Sequence, residues 1–235
     1  MRLLKNSFQG LDKVLRSEVD LPKVVLVMGP PGSMKTSFCF SVMTRHAQST
    51  GEIGMYLTLE ESTESHLKNM KSVGISSPAS IYIADFTDLR ELENVGEEDD
   101  ADYIRLIEKM VSNFRQRHGK DFTMLTIDSL GALYSLLPEH LSVRKSMYHF
   151  FKFLRDLNLF TMLILEGSLS DGRFYAGSEA FLSDGVIYLG MDNTKGKISR
   201  YIQVEKMRAC DHSMERYALE VGRGGMQILG PLLGN

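Results

Sequence analysis

An apolar run from Val24 to Val27 leads directly into Met28-Gly29-Pro30-Pro31-Gly32-Ser33-Met34-Lys35-Thr36-Ser37, and an amphipathic stretch from Thr36 to Gln48 follows. A buried strand, a glycine-rich turn and a helix in that order make a phosphate cradle. The turn aims successive backbone N–H groups at one point, and the helix N-terminus adds partial positive charge there. Read this way, Gly29 to Ser37 form a nucleotide-binding loop in which Lys35 reaches the β- and γ-phosphates and the Thr36 hydroxyl ligates Mg²⁺. One position departs from the pattern: Met34 stands where glycine precedes the lysine. Glycine serves there because it has no Cβ and tolerates unusual φ, so the backbone can approach phosphate closely. Two outcomes are open. Met34 keeps an ordinary helical conformation and donates its N–H, or it pushes the β-phosphate outward, as a degenerate Walker A loop would.

The 235 residues suffice for one large α/β domain, expected to span 1–235 with a substantial core. Apolar residues make up 43% and charged ones 24%, an ordinary globular balance. No apolar run approaches the roughly 20 residues that cross a bilayer, so no membrane partner is expected. Met1 to Asn6 lacks the long apolar region of a signal peptide. Cys39 and Cys210 are too few and too scattered for a zinc site or disulfide framework. A reduced, cytoplasmic setting is the expectation. The net charge of −3 disfavours a constitutive nucleic-acid binder, which carries a strong basic footprint.

Periodicity places the remaining elements. Strands are predicted over Met55–Leu59, Ile81–Asp85, Phe122–Ile127 and Phe160–Leu165, alternating with amphipathic helices. The helix after Glu60-Glu61 starts at Ser62 or Thr63, turns Leu67, Met70 and Val73 inward and stops at Gly74. Ile104, Ile107, Val111 and Phe114 mark another helix, and Val143 to Asn158 a third with Tyr148 and Phe151 on its core face. Asp88 to Asp102 reads as a solvated acidic loop and helix start, and Ser168 to Ser178 as the most loop-like stretch of the second half. Beyond it, Val186–Leu189, Ile198–Lys206, Tyr217–Val221 and Met226–Leu229 are strands joined by short turns such as Asn193-Thr194-Lys195-Gly196. The expected fold is α/β, a doubly wound, mostly parallel sheet extended by C-terminal antiparallel strands.

In such a sheet, ligands bind beyond the carboxyl ends of the strands. The loop, Glu60-Glu61, Asp128-Ser129 and Glu166 all fall at ends of that kind. Asp128 closes an apolar strand roughly ninety residues after the loop, which suits a carboxylate holding the Mg²⁺ water shell. An Asp there also serves as a helix cap or turn residue. Glu60 and Glu61 are adjacent, so only one can point along the strand face toward the γ-phosphate, where it would orient and deprotonate water. Acids at a helix start equally complement its dipole. Period-two geometry sends Lys206 and Arg208 to one face and Met207 to the other. The pair is either ordinary surface charge or a set of cations reaching a neighbouring subunit's nucleotide in trans.

Taken in order, Gly10-Leu11-Asp12, GPPGSMKTSF, MYLTLEES, TIDSL, LILEGS and EKMRACDHS resemble the KaiC-like ATPases of the RecA superfamily over nearly the whole chain. The resemblance is to a single KaiC domain. The paired glutamates and the Lys-x-Arg with a following His are its more specific marks. It implies a RecA-like P-loop NTPase fold, with ATP and Mg²⁺ bound at subunit interfaces of a homo-oligomer, a filament or a ring such as a hexamer. Carried onto this chain, it implies that Lys35 and Thr36 hold phosphate and metal and that Asp128 is the Walker B acid. Glu60 would activate water with Glu61 beside it, and Lys206 and Arg208 would act in trans with His212 nearby. Met34 departs from the family's glycine. The expected function is Mg²⁺-dependent ATP binding with slow hydrolysis, controlling assembly or a protein partner. Two alternatives stand beside it. One is a RadA-paralogue-like recombination accessory binding single-stranded DNA through Ser168 to Ser178, a stretch with one Arg and no Lys. The other is a non-hydrolysing ATP-binding interaction module, through Met34.

Overall fold

In the computed structural model, residues 9–86, 102–137, 143–167, 169–170, 173–174, 178–194, 197–222 and 225–232 are described. The sheet is organised around β1 (Lys23–Gly29), buried at every position. A strand covered on both faces needs apolar side chains throughout, which is why this one shows no polar alternation. Its residues divide by period two: Val25 and Val27 enter one core layer, while Val24, Leu26 and Met28 enter the other.

The further strands are β2 (Ile53–Thr58), β3 (Ile81–Asp85), β4 (Phe122–Asp128), β5 (Phe160–Glu166), the two-residue pair β6 (Leu169–Ser170) and β7 (Arg173–Phe174), β8 (Gly185–Thr194), β9 (Lys197–Met207), β10 (Tyr217–Gly222) and β11 (Gly225–Pro231). Nine of them form one sheet in the order β11-β10-β9-β8-β1-β5-β4-β2-β3. From β8 to β3 neighbours run parallel, and β8 to β11 pair antiparallel. The expected mostly parallel sheet with an antiparallel C-terminal extension is what is found. The β6–β7 hairpin falls within the stretch read as a loop; residues 168, 171–172 and 175–177 of that stretch lie outside the described residues. So do 88–101 of the acidic segment and 195–196 of the turn after Asn193.

The helices are α1 (Leu11–Val14), α2 (Lys35–Thr50), α3 (Thr63–Ser72), α4 (Tyr103–His118), α5 (Leu130–Ser135), α6 (Val143–Asp156) and α7 (Ser178–Leu182). Phe38, Phe40 and Val42 of α2 fill one core layer, and Ile107, Val111, Phe150 and Phe151 of α4 and α6 fill the other. Two predicted faces are corrected. On α3, His66 and Met70 are buried one turn apart, whereas Leu67 is exposed. Ser62 caps this helix by accepting from the Ser65 N–H, and the phase set there turns position 67 to solvent. On α6, Met147, Phe150, Phe151 and Leu154 form the i, i+3, i+4, i+7 stripe. Tyr148, roughly 100° further round the helix than Met147, is exposed. Among the described residues, no helix is long and apolar enough to cross a membrane.

Candidate functional site

The carboxyl ends of β1, β2, β4 and β5 meet around a cavity of about 370 Å³, floored by the loop between β1 and α2. Gly29 admits no side chain: a Cβ there would lie 2.1 Å from the Leu189 carbonyl oxygen and 2.7 Å from Ser33 Oγ. Pro30 and Pro31 carry no N–H, so the amides that can face an anion begin at Gly32, whose φ is +81°. Of the two outcomes open for Met34, the ordinary helical conformation is not what forms. Its φ of 73° and ψ of 33° are left-handed, so the chain holds the backbone a glycine would take without having the glycine. For a side chain with a Cβ this costs about 1–2 kcal/mol. Met34 offsets part of that by packing, half-buried, against the core beneath α2.

Lys35 opens α2 and bends back over the loop, donating to the carbonyls of Gly29 (3.0 Å) and Pro30 (3.1 Å). Burial lowers its pKa, and Glu166 and Asp128 oppose that shift. Thr36 Oγ1 donates to Asp128 Oδ2 at 2.7 Å, across 92 residues of chain. The Tyr56 hydroxyl donates to the same oxygen at 2.6 Å. Register explains the reach, since Thr58 pairs with Asp128 and Tyr56 lies one side-chain repeat before it on the same face of β2. Burial raises the Asp128 pKa, and the two hydroxyl donors hold it back. The helix-cap alternative for Asp128 does not apply: Ser129 caps α5, accepting from the Ala132 N–H at 3.2 Å.

Glu60 and Glu61 diverge, as adjacency requires. Glu60 accepts from Ser129 Oγ at 2.9 Å, beside Asp128 at the cavity wall. Glu61 is tied to α3, accepting from Ser65 Oγ (3.0 Å) and Asn69 Nδ2 (2.9 Å) and lying 3.2 Å from His66 Nδ1. Glu166 lines the cavity on the β5 side.

Lys206 and Arg208 do not reach this cavity within their own chain. Lys206 Nζ donates to the carbonyls of Ala180 (2.9 Å) and Ser183 (2.6 Å). Arg208 donates to Asp184 Oδ1 (3.2 Å) and the Phe181 carbonyl (3.3 Å). Both cations therefore cap the end of α7, where carbonyls are left without helical partners. Phe181, 79% exposed, stands beside them. His212 bridges to Leu15 and is half-buried, and its Nδ1 lies 3.4 Å from the Ser213 carbonyl.

Phosphate and Mg²⁺ suit the groups present. Thr36 and Asp128 offer hard oxygen donors on one side of the cavity, the kind Mg²⁺ takes when phosphate oxygens and waters complete its shell. Among the described residues, no group of three or more His, Cys, Asp or Glu side chains is arranged to hold a metal alone. Sequence reasoning missed Tyr56, His66 and Asn69, and placed Ser129 at a strand end without its bond to Glu60. The available signal was a Tyr inside an otherwise apolar strand, because a buried phenol needs a partner for its O–H.

The sequence profile described as "ATPase: KaiC" matches residues 4–232. Among curated relatives, a UPF0273 protein of Thermotoga maritima is 27% identical over 97% of this chain and 96% of its own length. The circadian clock protein KaiC2 of Synechocystis is 25% identical over 94% of this chain but only 39% of its own length. Among solved structures, a KaiC-like protein from Pyrococcus horikoshii superposes with a TM-score of 0.80, covering 97% of this chain and 99% of that one at 24% identity. That last likeness supports the RecA-like fold.

Proposed function

Because the chain belongs to the KaiC family of ATPases, we propose that it binds ATP with Mg²⁺ and hydrolyses it slowly, its nucleotide state controlling its own assembly or a protein partner. The observation that carries this reading is the 2.7 Å bond from Thr36 to Asp128 at the mouth of the loop. It joins the two groups that a nucleotide-bound metal needs, from elements far apart in sequence.

Each residue then has a task. The amides from Gly32 to Ser37 cradle phosphate at the start of α2. Lys35, now spending its donors on the carbonyls of Gly29 and Pro30, turns them to the β- and γ-phosphates. Thr36 and Asp128 hold Mg²⁺, directly and through its waters. When bound, the ion neutralises charge developing on the transferred phosphoryl group. Glu60 orients the attacking water and takes its proton, and Ser129 fixes the carboxylate for that role. Met34 favours turnover over the non-hydrolysing alternative, since the loop keeps the backbone a glycine would give it. Lys206 and Arg208 act on the nucleotide of a neighbouring copy, with His212 close by on the same segment. The assembly is a homo-oligomer of one-domain subunits working in the cytoplasm.

The test is equilibrium binding of ATP with and without Mg²⁺, with turnover and solution mass recorded on the same samples of wild type, Lys35→Ala and Asp128→Asn. Wild type should bind tightly only with Mg²⁺ and turn over faster when assembled. Asp128→Asn should lose most of the Mg²⁺ dependence, and Lys35→Ala should weaken binding in both conditions. Wild type that binds no ATP, or equal affinity with and without Mg²⁺ in all three proteins, would overturn the reading.

A further inference from the structure

One buried titratable group beside the site has no task in the scheme above. His66, on α3, has none of its surface exposed. Its ring is enclosed by Tyr56, with centroids 4.4 Å apart, and by the edge of Phe40 at 4.7 Å. Its Nδ1 lies 3.2 Å from Glu61 Oε1. Its Nε2 is buried without a hydrogen-bond partner among the described residues. Burial lowers its pKa, and Glu61 and Asp128 oppose that shift. A neutral imidazole can donate to a carboxylate only from the nitrogen that bears the proton, so pairing with Glu61 fixes the Nδ1–H tautomer.

The surroundings give this bond a consequence. Glu61 is held on α3 by His66, Ser65 and Asn69, while its neighbour Glu60 is held on the opposite side by Ser129. The His66 ring also packs on Tyr56, whose hydroxyl bonds Asp128. The ionisable groups facing the imidazole are thus Glu61 from the turn after β2, Tyr56 on β2 and Asp128 on β4. Glu61 shares the cavity lining with Glu60, Asp128 and Glu166; freed from α3 and swung toward Asp128 and Glu60, its ionised carboxylate would add to their charge, and like charges at such range oppose one another.

We propose that His66 is a positioning residue for hydrolysis: by donating its Nδ1–H to Glu61 it holds that carboxylate against α3, so that Glu60 and not Glu61 is left to take the attacking water's proton. The proposal rests on the ATPase reading and adds to it a residue that touches neither nucleotide nor metal.

The experiment uses the full chain carrying Glu61→Gln, His66→Phe, His66→Asn, or Glu61→Gln with His66→Phe. Phe keeps the ring and loses the donor, whereas the Asn amide restores a donor near the Nδ1 position. Thermal melts confirm that each variant is folded. His66→Phe should lower kcat about tenfold with KM for ATP within about twofold, and His66→Asn should recover most of the loss. Combined with Glu61→Gln, His66→Phe should lower kcat no further than the worse single change, because the two act as a unit. Unchanged kcat in His66→Phe, or losses that multiply in the double variant, would overturn the proposal. A second readout needs no turnover: ¹⁵N imidazole correlations should show His66 protonated on Nδ1, with a shift that moves in Glu61→Gln. If wild type fails to hydrolyse ATP, the ATPase reading fails and hydrolytic positioning fails with it. The nitrogen spectra then decide separately whether His66 holds Glu61, and an Nε2–H tautomer would show that it does not.

Discussion

Replacing Met34 tests the loop geometry more sharply than any change at the lysine. The side chain is half-buried against the core, and truncating it to Ala forfeits about 1 kcal/mol of apolar burial, near half the value of a fully buried Met. Ala retains a Cβ, so the left-handed backbone at φ 73° stays as strained as before. Gly loses the same apolar surface but relieves about 1–2 kcal/mol of left-handed strain. It gives back about 0.4–1 kcal/mol through a more flexible unfolded chain. The Met34→Gly protein should therefore lie close to wild type, and Met34→Ala about 0.5–1 kcal/mol below Met34→Gly. For a protein of this size each kcal/mol moves Tm by about 2–4 °C, so thermal melts resolve the difference. ATP affinity measured alongside should differ by less than about threefold between wild type and Met34→Gly, since the amide already points as glycine's would. Met34→Ala as stable as Met34→Gly would refute the left-handed assignment. A tenfold or greater gain in affinity for Met34→Gly would mean that the side chain, not the backbone, limits the cradle.

Two other changes have predictable signs. Asp184, which accepts from the Val24 N–H, Arg155 and Arg208, should cost about 2 kcal/mol as Asp184→Asn, because Arg155 loses its charge partner. Burial alone would raise the Asp184 pKa, but its donors, Arg155 first, outweigh that and leave it below the ordinary value. Its stabilisation is thus complete above the unfolded carboxylate pKa of about 3.9 and is lost as pH falls through the folded one. The wild-type stability profile should show this acid limb, and that of Asp184→Asn should lack it. Ser33 Oγ is fully buried with no partner among the described residues, so Ser33→Ala should raise stability by about 1 kcal/mol. A lower Tm for Ser33→Ala would show that the hydroxyl is engaged.

The alternation of apolar strands and amphipathic helices carried most of the fold, because a buried parallel sheet imposes continuous apolar runs that few other structures need. What hydropathy hid were polar groups buried with distant partners. His66 looks like a surface residue in sequence, and it displaced Leu67 from the predicted inner face of α3. Tyr56 looks like strand filler until its bond to Asp128, 72 residues away, is seen. Ser129 reads only as the residue after an acid, yet it both caps α5 and holds Glu60. Each owes its position to a contact between strand ends, and local periodicity carries no information about such contacts.

Lys206 and Arg208 show the same limit from the other direction. Period two assigned them one face, and both do turn to α7 and Asp184. Their bonds within the chain look at first like an obstacle to service in trans. Donor arithmetic says otherwise. An ammonium has three N–H donors and a guanidinium five, and each residue spends two on the α7–Asp184 segment. The anchoring bonds fix where the remaining donors point, and Arg208, 53% exposed at its side chain, presents them to solvent. A cation held in place by its own chain loses less side-chain entropy on meeting a neighbour's phosphate than one free to rotate. Capping α7 is therefore compatible with the proposed reach across a subunit boundary.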